Sequence, residues 1–248
     1  MSIVIGVLTT KDGQGSSSLA LSLAWAAAQN FRVMLIDADM SGTGSLADLL
    51  AMDVEGQGIG NLFGTQLITA PMLEQQAIKV QSRPHLRIVP GLQGFCGPGI
   101  ADLLPRLSSA FSSLVDELII LDLGAPLAHP GQESPRRTGE VICSVINRVL
   151  IIAQDSPSRL TKTIQVLLTA KLPRAELIVF ETRRGQMRDQ VTRTISHHLP
   201  QVRLSGFLTW DEKRAIRAED SAIPMPGEDL LRNLRIPQMI KSRANQGT

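Results

Sequence analysis

Seven short apolar runs alternate with longer stretches of helical length along this chain of 248 residues. Most of the runs are continuously apolar, which is typical of strands buried on both faces of a sheet. We predict strands at 3–9, 33–37, 86–90, 117–122, 149–153, 177–180 and 204–208, and helices at 16–30, 99–115, 137–146, 158–170 and 187–199. Strands that alternate with helices predict an α/β fold with three layers, in which a doubly wound, mostly parallel sheet carries helices on both faces.

The composition favours the same architecture. Apolar residues make up 43% of the chain but aromatic residues only 3%, and tyrosine is absent. The core is therefore built from Leu, Ile, Val and Ala, which suits parallel strands and packed helices better than an aromatic-rich β-sandwich. We find no repeat and no long linker, so we expect one domain over 1–248. A net charge of +2 does not by itself indicate nucleic-acid binding.

Cysteine usage and hydropathy suggest the compartment. Cys96 and Cys143 are far apart in the chain, so neither a disulfide framework nor a zinc site is expected. The first residues lack the cationic region of a signal peptide, and no apolar stretch approaches the roughly 20 residues that span a bilayer. We expect a cytoplasmic protein. Recruitment to the inner face of the membrane or to a cell pole stays open.

A glycine loop lies between the first strand and the first helix. The segment "TTKDGQGSSSLA", residues 9–20, follows an apolar run and leads into a helix. A strand, a glycine loop and a helix form an anion-binding device because the amides at the helix start point toward the ligand. Gly13 and Gly15 permit a tight turn. Ser17 or Ser18 offers the hydroxyl that holds magnesium in such loops.

Two further strands end in carboxylates. "VMLIDADMSGTGSLADLL" places Asp37 and Asp39 after the second strand, and "ELIILDLGAP" places Asp122 at the end of another. Ligands of open parallel sheets bind beyond the carboxyl ends of the strands. The loop and the acids together predict a phosphate and magnesium site.

With these residues the chain resembles, over nearly its whole length, the ParA/MinD family of deviant Walker-A ATPases, which are P-loop NTPases of the SIMIBI type. The family loop reads lysine, two glycines, any residue, glycine, lysine and two threonines. Lys11 matches the first lysine, and Asp39 matches the acid that orients the attacking water, so the resemblance implies catalytic roles for both. The nucleotide-binding positions that it implies are Gly13, Gln14, Gly15, Ser16, Ser17, Ser18, Asp37, Asp122 and Thr182.

Within that resemblance Ser17 is the magnesium ligand and Asp122 is the Walker-B aspartate. Three departures weaken the match. Thr10 and Asp12 replace family glycines, and Ser16 replaces the lysine that contacts the β- and γ-phosphates. Glu181 or Thr182 stands where the family has an adenine-contacting asparagine.

The departures make the loop less attractive to a polyanion. A unit charge at about 4 Å contributes on the order of 1 to 4 kcal/mol. Phosphoryl transfer depends on positioned positive charge, so it should suffer more than binding does. We therefore expect binding of ATP or ADP with Mg²⁺ to be weakened or lost and hydrolysis to be slow or absent. A loop kept only as a structural turn stays open.

Several stretches resemble the CpaE/TadZ branch, which is associated with Flp-type pilus and secretion loci. They are "DADMSGTGSLADLLAM", "GQGIGNLF", "LRIVPGLQG" and "FLTWDEKRAIRAEDSAIPM". This implies a degenerate pseudo-ATPase that acts as a localisation or scaffold factor for a pilus, secretion or cellulose-synthesis machine, as a homodimer or as a heterodimer with a related protein. The alternatives are an active ATP-dependent dimeric switch in partitioning or septum placement, and a metabolic P-loop enzyme.

Two charged stretches bear on partners. A group of basic residues could contact DNA if its members shared one face of the fold. No aromatic residues are interleaved with them, and a solvated face is the simpler interpretation. The group comprises Arg183, Arg184, Arg188, Arg193, Arg203, Lys213, Arg214 and Arg217. Near the end, "EDLLRNLRIPQMIKSR" has a short apolar face that suggests a membrane-surface helix. Because Pro237 interrupts that face, we expect the segment to dock onto the domain instead.

Overall fold

The computed structural model describes residues 2–41, 45–92, 99–128, 134–172, 175–181, 185–209 and 228–244. Within these ranges one sheet has the strand order β3-β4-β2-β5-β1-β6-β7-β8. Its strands are β1 (Ile3–Thr9), β2 (Val33–Asp37), β3 (Ile78–Lys79), β4 (Leu86–Val89), β5 (Leu118–Asp122), β6 (Arg148–Gln154), β7 (Ala175–Glu181) and β8 (Arg203–Thr209). Every pairing is parallel except that of β3 with β4.

Helices cover both faces of the sheet. They are α1 (Ser16–Ala27), α2 (Ser45–Leu49), α3 (Ala70–Gln75), α4 (Ile100–Phe111), α5 (Pro135–Val145), α6 (Pro157–Ala170), α7 (Arg188–His198), α8 (Glu228–Asn233) and α9 (Ile236–Ala244). One buried cluster joins the sheet to α1, α2, α8 and α9, and a second joins it to α3 through α7. The predicted three-layer, mostly parallel α/β fold is confirmed.

The sequence prediction located each long element. All seven predicted strands are present, with ends within two residues of the prediction. The two-residue strand β3 and the short helices α2 and α3 were not predicted, because elements of two to six residues carry too little periodic signal. Predicted helix 99–115 ends at Phe111, where the chain turns toward β5.

The C-terminal helices dock onto the domain as predicted. Leu230, Leu231 and Leu234 are buried in the cluster around α1. A buried ion pair holds this region to the sheet, since Arg148 of β6 donates to the Glu176 carboxylate on β7 and to the carbonyl oxygen of Leu234. Such charge-assisted bonds are among the stronger ones in proteins.

The two edges of the sheet differ. At one edge β3 contributes only two residues, Ile78 and Lys79, antiparallel to β4. At the other, the pairing of β8 with β7 shifts register between Leu177 and Ile178, which leaves Ser205 out of the ladder. The Ser205 hydroxyl donates to Glu176 at 2.5 Å.

Candidate phosphate and magnesium site

The acidic strand ends meet at the middle of the sheet. The central strands β2, β5 and β1 are neighbours, and their register places Asp37 opposite Asp122 and Asp122 opposite Val7. Strand β1 runs two residues further, to Thr9, and leads into the glycine loop. The fold therefore brings together the loop and the two acidic strand ends that the sequence singled out.

The glycine loop has the backbone that its sequence predicts. Gly13 has φ of +70° and Gly15 has φ of +90°, a region that side chains rarely adopt. Gly15 caps α1, and its carbonyl oxygen accepts the amide of Leu19 at 3.0 Å. A Cβ on Gly13 would meet nothing within 4 Å, so the loop is open at that point. The first amides of α1 have no intrahelical acceptor, which suits an anion in front of the helix.

Asp37 lies completely buried at the end of β2. It accepts the backbone amides of Asp39 at 3.2 Å and Leu46 at 3.3 Å. Burial, with a further contribution from the charge of Asp122, raises its pKa to about 7. Gly91, just after β4, makes room for it, because a Cβ there would overlap the Asp37 carboxylate.

Asp122 is also completely buried. Its Oδ1 accepts the amide of Gly124 at 3.2 Å, whereas Oδ2 has no hydrogen-bond partner among the residues described. Burial raises its pKa to about 6, and hydrogen bonding from Ser17 and then Ser16 acts in the opposite direction. The side chain at the lysine position of the loop is therefore turned toward this acid. A buried carboxylate oxygen without a donor is suited to a hard cation or its water.

Asp39 lies at the rim of the same site. It is half-buried and packs against Gly124, where a Cβ would overlap its carboxylate. Its Oδ1 accepts the amide of Ser41 at 2.9 Å. Gly124 itself has φ of +59°, so a glycine is required there both for its backbone and for the approach of the acid.

The remaining loop residues differ in how far they are exposed to solvent. Gln14 and Ser16 are buried, Ser17 and Ser18 are half-buried, and Lys11 is exposed. Within the described ranges no group of three or more His, Cys, Asp or Glu side chains could hold a metal ion. Magnesium sites in proteins usually combine one or two carboxylates with water and phosphate oxygens.

At the position proposed for adenine contact, Glu181 is used internally. It accepts four hydrogen bonds, from Nε and Nη2 of Arg188 at 2.5 and 2.8 Å, from the Gly185 amide at 3.2 Å and from the Thr209 hydroxyl at 2.8 Å. The Arg188 hydrogen bonds lower its pKa to about 2. A carboxylate has about four acceptor sites, so little capacity is left for a base. Thr182 lies outside the described residues.

Sequence reasoning missed the two glycines that accommodate the acids. Gly91 and Gly124 each follow a strand, in "VPG" and "DLG". A glycine one or two residues beyond a buried strand is the signal that could have identified them, because it permits close approach of a neighbouring side chain.

The predicted basic group is only partly described. Arg188 bonds to Glu181 and lies over the Phe207 ring, while Arg193 and Arg203 are exposed. Arg183, Arg184, Lys213, Arg214 and Arg217 lie outside the described residues, as does Cys96. In the part of the chain that the structure covers, no helix combines the length and hydropathy needed to cross a membrane.

No protein-family model matches the sequence, and no curated protein matches it. Solved structures do match. A ParA family ATPase from Chlorobium tepidum is 19% identical, with 90% of each chain covered and a TM-score of 0.68. MinD from Aquifex aeolicus, solved in complex with MinC, is 16% identical, with 96% of each chain covered and a TM-score of 0.71. MinD from Pyrococcus horikoshii, solved with Mg-ADP, is 17% identical over 91% of this chain and 88% of that one, with a TM-score of 0.65.

These neighbours define the fold class. The chain has the P-loop NTPase fold of ParA/MinD family ATPases, as the glycine loop and the two acidic strand ends predicted. At under 20% identity the similarity is one of fold.

Proposed function

We propose that this chain is a ParA/MinD-like protein that binds a magnesium nucleotide weakly, hydrolyses it slowly or not at all, and acts as a localisation or scaffold factor. The observation that supports this best is at the loop, where a buried serine, Ser16, stands in place of an ammonium group. Asp37 and Asp122 are buried beside each other, and each has a raised pKa. The site is thus short of positive charge where phosphoryl transfer needs it most.

The residues present fit a magnesium ion better than a triphosphate. Ser17 would supply a hydroxyl and Asp122 its Oδ2, which has no donor among the described residues. The open backbone at Gly13 and the start of α1 would hold a phosphate group. A bound magnesium ion would neutralise phosphate charge and, with it, the repulsion between the buried acids. The loop does not provide the cation that would orient the terminal phosphate.

The scaffold role is supported by the resemblance of the sequence to the CpaE/TadZ branch and by the nature of the structural neighbours. MinD of Aquifex aeolicus has been solved with a protein partner, MinC, and MinD of Pyrococcus horikoshii with Mg-ADP. For this chain we infer a homodimer or a heterodimer with a related protein. Its partners would be components of a pilus, secretion or cellulose-synthesis machine.

Restoring the loop is expected to strengthen nucleotide binding. In calorimetric titrations with Mg-ATP, Ser16→Lys should lower Kd by about 10- to 100-fold, because one added unit charge near the phosphates contributes on the order of 1 to 4 kcal/mol. Asp12→Gly should act in the same direction by removing a negative charge from the loop.

The matched control is Ser113→Lys, which adds the same charge at an exposed residue after α4. It should leave Kd unchanged within about twofold at 0.15 M salt, where distant charges are screened. If the unaltered chain binds Mg-ATP as tightly as Ser16→Lys does, the loop is not impaired and the proposal fails.

The second candidate is an active ATP-dependent dimeric switch. It is favoured by Lys11, which is exposed on the loop and forms no ion pair within the described ranges, and by Asp39 at the rim of the site. If this function is right, steady-state phosphate release will be measurable and will fall at least 100-fold in Asp39→Ala. The exposed α2 residue Asp48 provides the control, since Asp48→Ala should retain the full rate. Turnover that is absent, or equal in the two variants, would exclude the switch.

A further inference from the structure

A pocket lies between the glycine loop and α6. Its volume is about 140 Å³. A water molecule occupies about 30 Å³ in the liquid, so the pocket is large enough for a group of several non-hydrogen atoms. Its lining consists of Thr10, Lys11, Gln14, Ser158, Arg159 and Lys162.

The two walls of the pocket are held together by a buried hydrogen bond. The hydroxyls of Thr10 and Thr163 are 2.8 Å apart, and both residues are buried. Thr163 follows Lys162 and is one turn after Arg159, so this bond fixes the start of the loop against the first turns of α6. Because of this bond, a ligand would not have to bring the loop and α6 together.

The pocket is strongly cationic. Lys11 comes from the loop, and Arg159 and Lys162 come from adjacent turns of α6. None of the three forms an ion pair with any acid in the described part of the chain. Asp12 follows Lys11 in the loop but does not line the pocket. Three cationic residues and no carboxylate line the pocket.

The start of α6 adds to this charge. The helix is 14 residues long and has Pro157 in its first turn. Ser156, at the N-cap, makes no capping bond, and its hydroxyl has no partner among the described residues. The first amides of a helix and its dipole attract an anion, and Ser158 and Arg159 lie in that turn.

Gln14 points to a ligand independently of the charges. Gln14 is one of the lining residues although it is only 4% exposed, and its Oε1 has no hydrogen-bond partner among the residues described. Buried amide groups are normally hydrogen-bonded. The amide can accept from a protonated oxygen or, after a half-turn about its last bond, donate from Nε2. A ligand with several oxygen atoms satisfies it in either orientation.

We propose that this pocket binds a phosphate-type anion, separately from the phosphate site formed by the Gly13 backbone and the start of α1. Three cations, a helix start and a buried amide form the donor set that recognises phosphate oxygens. The positive charge that Ser16 does not provide at the start of α1 is thus present between the loop and α6. The anion is free inorganic phosphate or diphosphate, or the phosphate chain of a nucleotide. This goes beyond the proposed function, because the site needs neither magnesium nor the acids.

The test is calorimetric titration of the full chain with inorganic pyrophosphate, in 50 mM salt with EDTA so that no metal is bound. We expect the double variant Arg159→Ala/Lys162→Ala to bind pyrophosphate at least tenfold more weakly. Both side chains are exposed, so the fold should be unaffected, which circular dichroism would verify. The control Lys241→Ala removes an exposed cation from α9 and should change Kd by less than twofold.

A variant at the start of α1 distinguishes binding in the pocket from binding at the phosphate and magnesium site. Ser17→Ala should weaken Mg-ATP binding but leave pyrophosphate binding in EDTA unchanged, and this result would hold even if the unaltered chain bound no Mg-ATP. Titration with ADP in EDTA identifies the source of the anion. If the ligand is a nucleotide, Arg159→Ala/Lys162→Ala should bind ADP at least tenfold more weakly as well. Pyrophosphate binding that is absent, or that depends on Ser17 and not on Arg159 and Lys162, would overturn the proposal.

Discussion

Replacing Gly139 by alanine is expected to destabilise the protein by about 2 to 4 kcal/mol. Gly139 lies in α5 where this helix meets the end of α6. A Cβ on it would overlap the carbonyl oxygen of Ala170 and would lie 3.0 Å from the carbonyl carbon. Both atoms belong to the backbone, so no side-chain rotation relieves the overlap and the helices must separate. Alanine's better helix propensity recovers only about 1 kcal/mol of that cost.

Urea unfolding followed by circular dichroism measures the effect. Gly64→Ala is the matched control, because a Cβ at Gly64 would meet nothing within 4 Å. That variant should be as stable as the unaltered chain, or slightly more stable, since alanine restricts the unfolded chain. A Gly139→Ala protein at least as stable as Gly64→Ala would show that the α5–α6 contact is looser than the structure describes.

The buried acid Asp37 is expected to make stability depend strongly on pH. Its pKa rises from 3.8 in the unfolded chain to about 7 in the fold, so the folded state binds an additional proton between these values. The free energy of unfolding should therefore decrease as pH rises from about 4 to about 7, by up to about 4 kcal/mol. Asp122, with a pKa raised to about 6, acts in the same direction.

Asp37→Asn removes the Asp37 contribution to this dependence and leaves that of Asp122. At pH 8 the variant should be about 2 to 3 kcal/mol more stable than the unaltered chain, because it buries no charge. This figure already includes a loss of about 1 kcal/mol, since the Asn amide is a weaker hydrogen-bond acceptor than a carboxylate. At pH 5 the advantage of the variant should shrink to less than about 1 kcal/mol, because little of the Asp37 charge is then buried. Denaturant unfolding at both values in EDTA tests this, with Asp48→Asn as the exposed control. Parallel pH profiles for Asp37→Asn and the unaltered chain would contradict the prediction.

The long elements of the fold were predictable because burial on both faces leaves continuous apolar runs in the sequence. Strands β1 and β2 begin and end at the predicted residues, 3–9 and 33–37. The antiparallel strand β3 was not predictable, since Ile78 and Lys79 pair with β4 for only two residues. Its position depends on the chain around α3, which local sequence does not encode.

The site was predictable in its residues but not in its electrostatics. The sequence placed Asp37, Asp39 and Asp122 at strand ends, and the sheet register brings Asp37 opposite Asp122. It did not indicate that Ser16 turns toward Asp122, because side-chain direction in a loop depends on neighbours distant in sequence. The pocket beside α6 was missed for the same reason, since Lys11 and Arg159 are 148 positions apart. Assignment to the CpaE/TadZ branch stays a prediction.

The two sheet edges also limit how copies of this chain can associate. Strand addition needs a long, regular edge whose unpaired amides and carbonyls match those of an incoming strand. Within the described residues β3 offers only two positions, and the shift beside Ser205 interrupts the spacing along β8. Such short and irregular edges protect a soluble sheet from fibrous aggregation. A dimer of this protein should therefore form through its loops and helices rather than by joining two sheets into one.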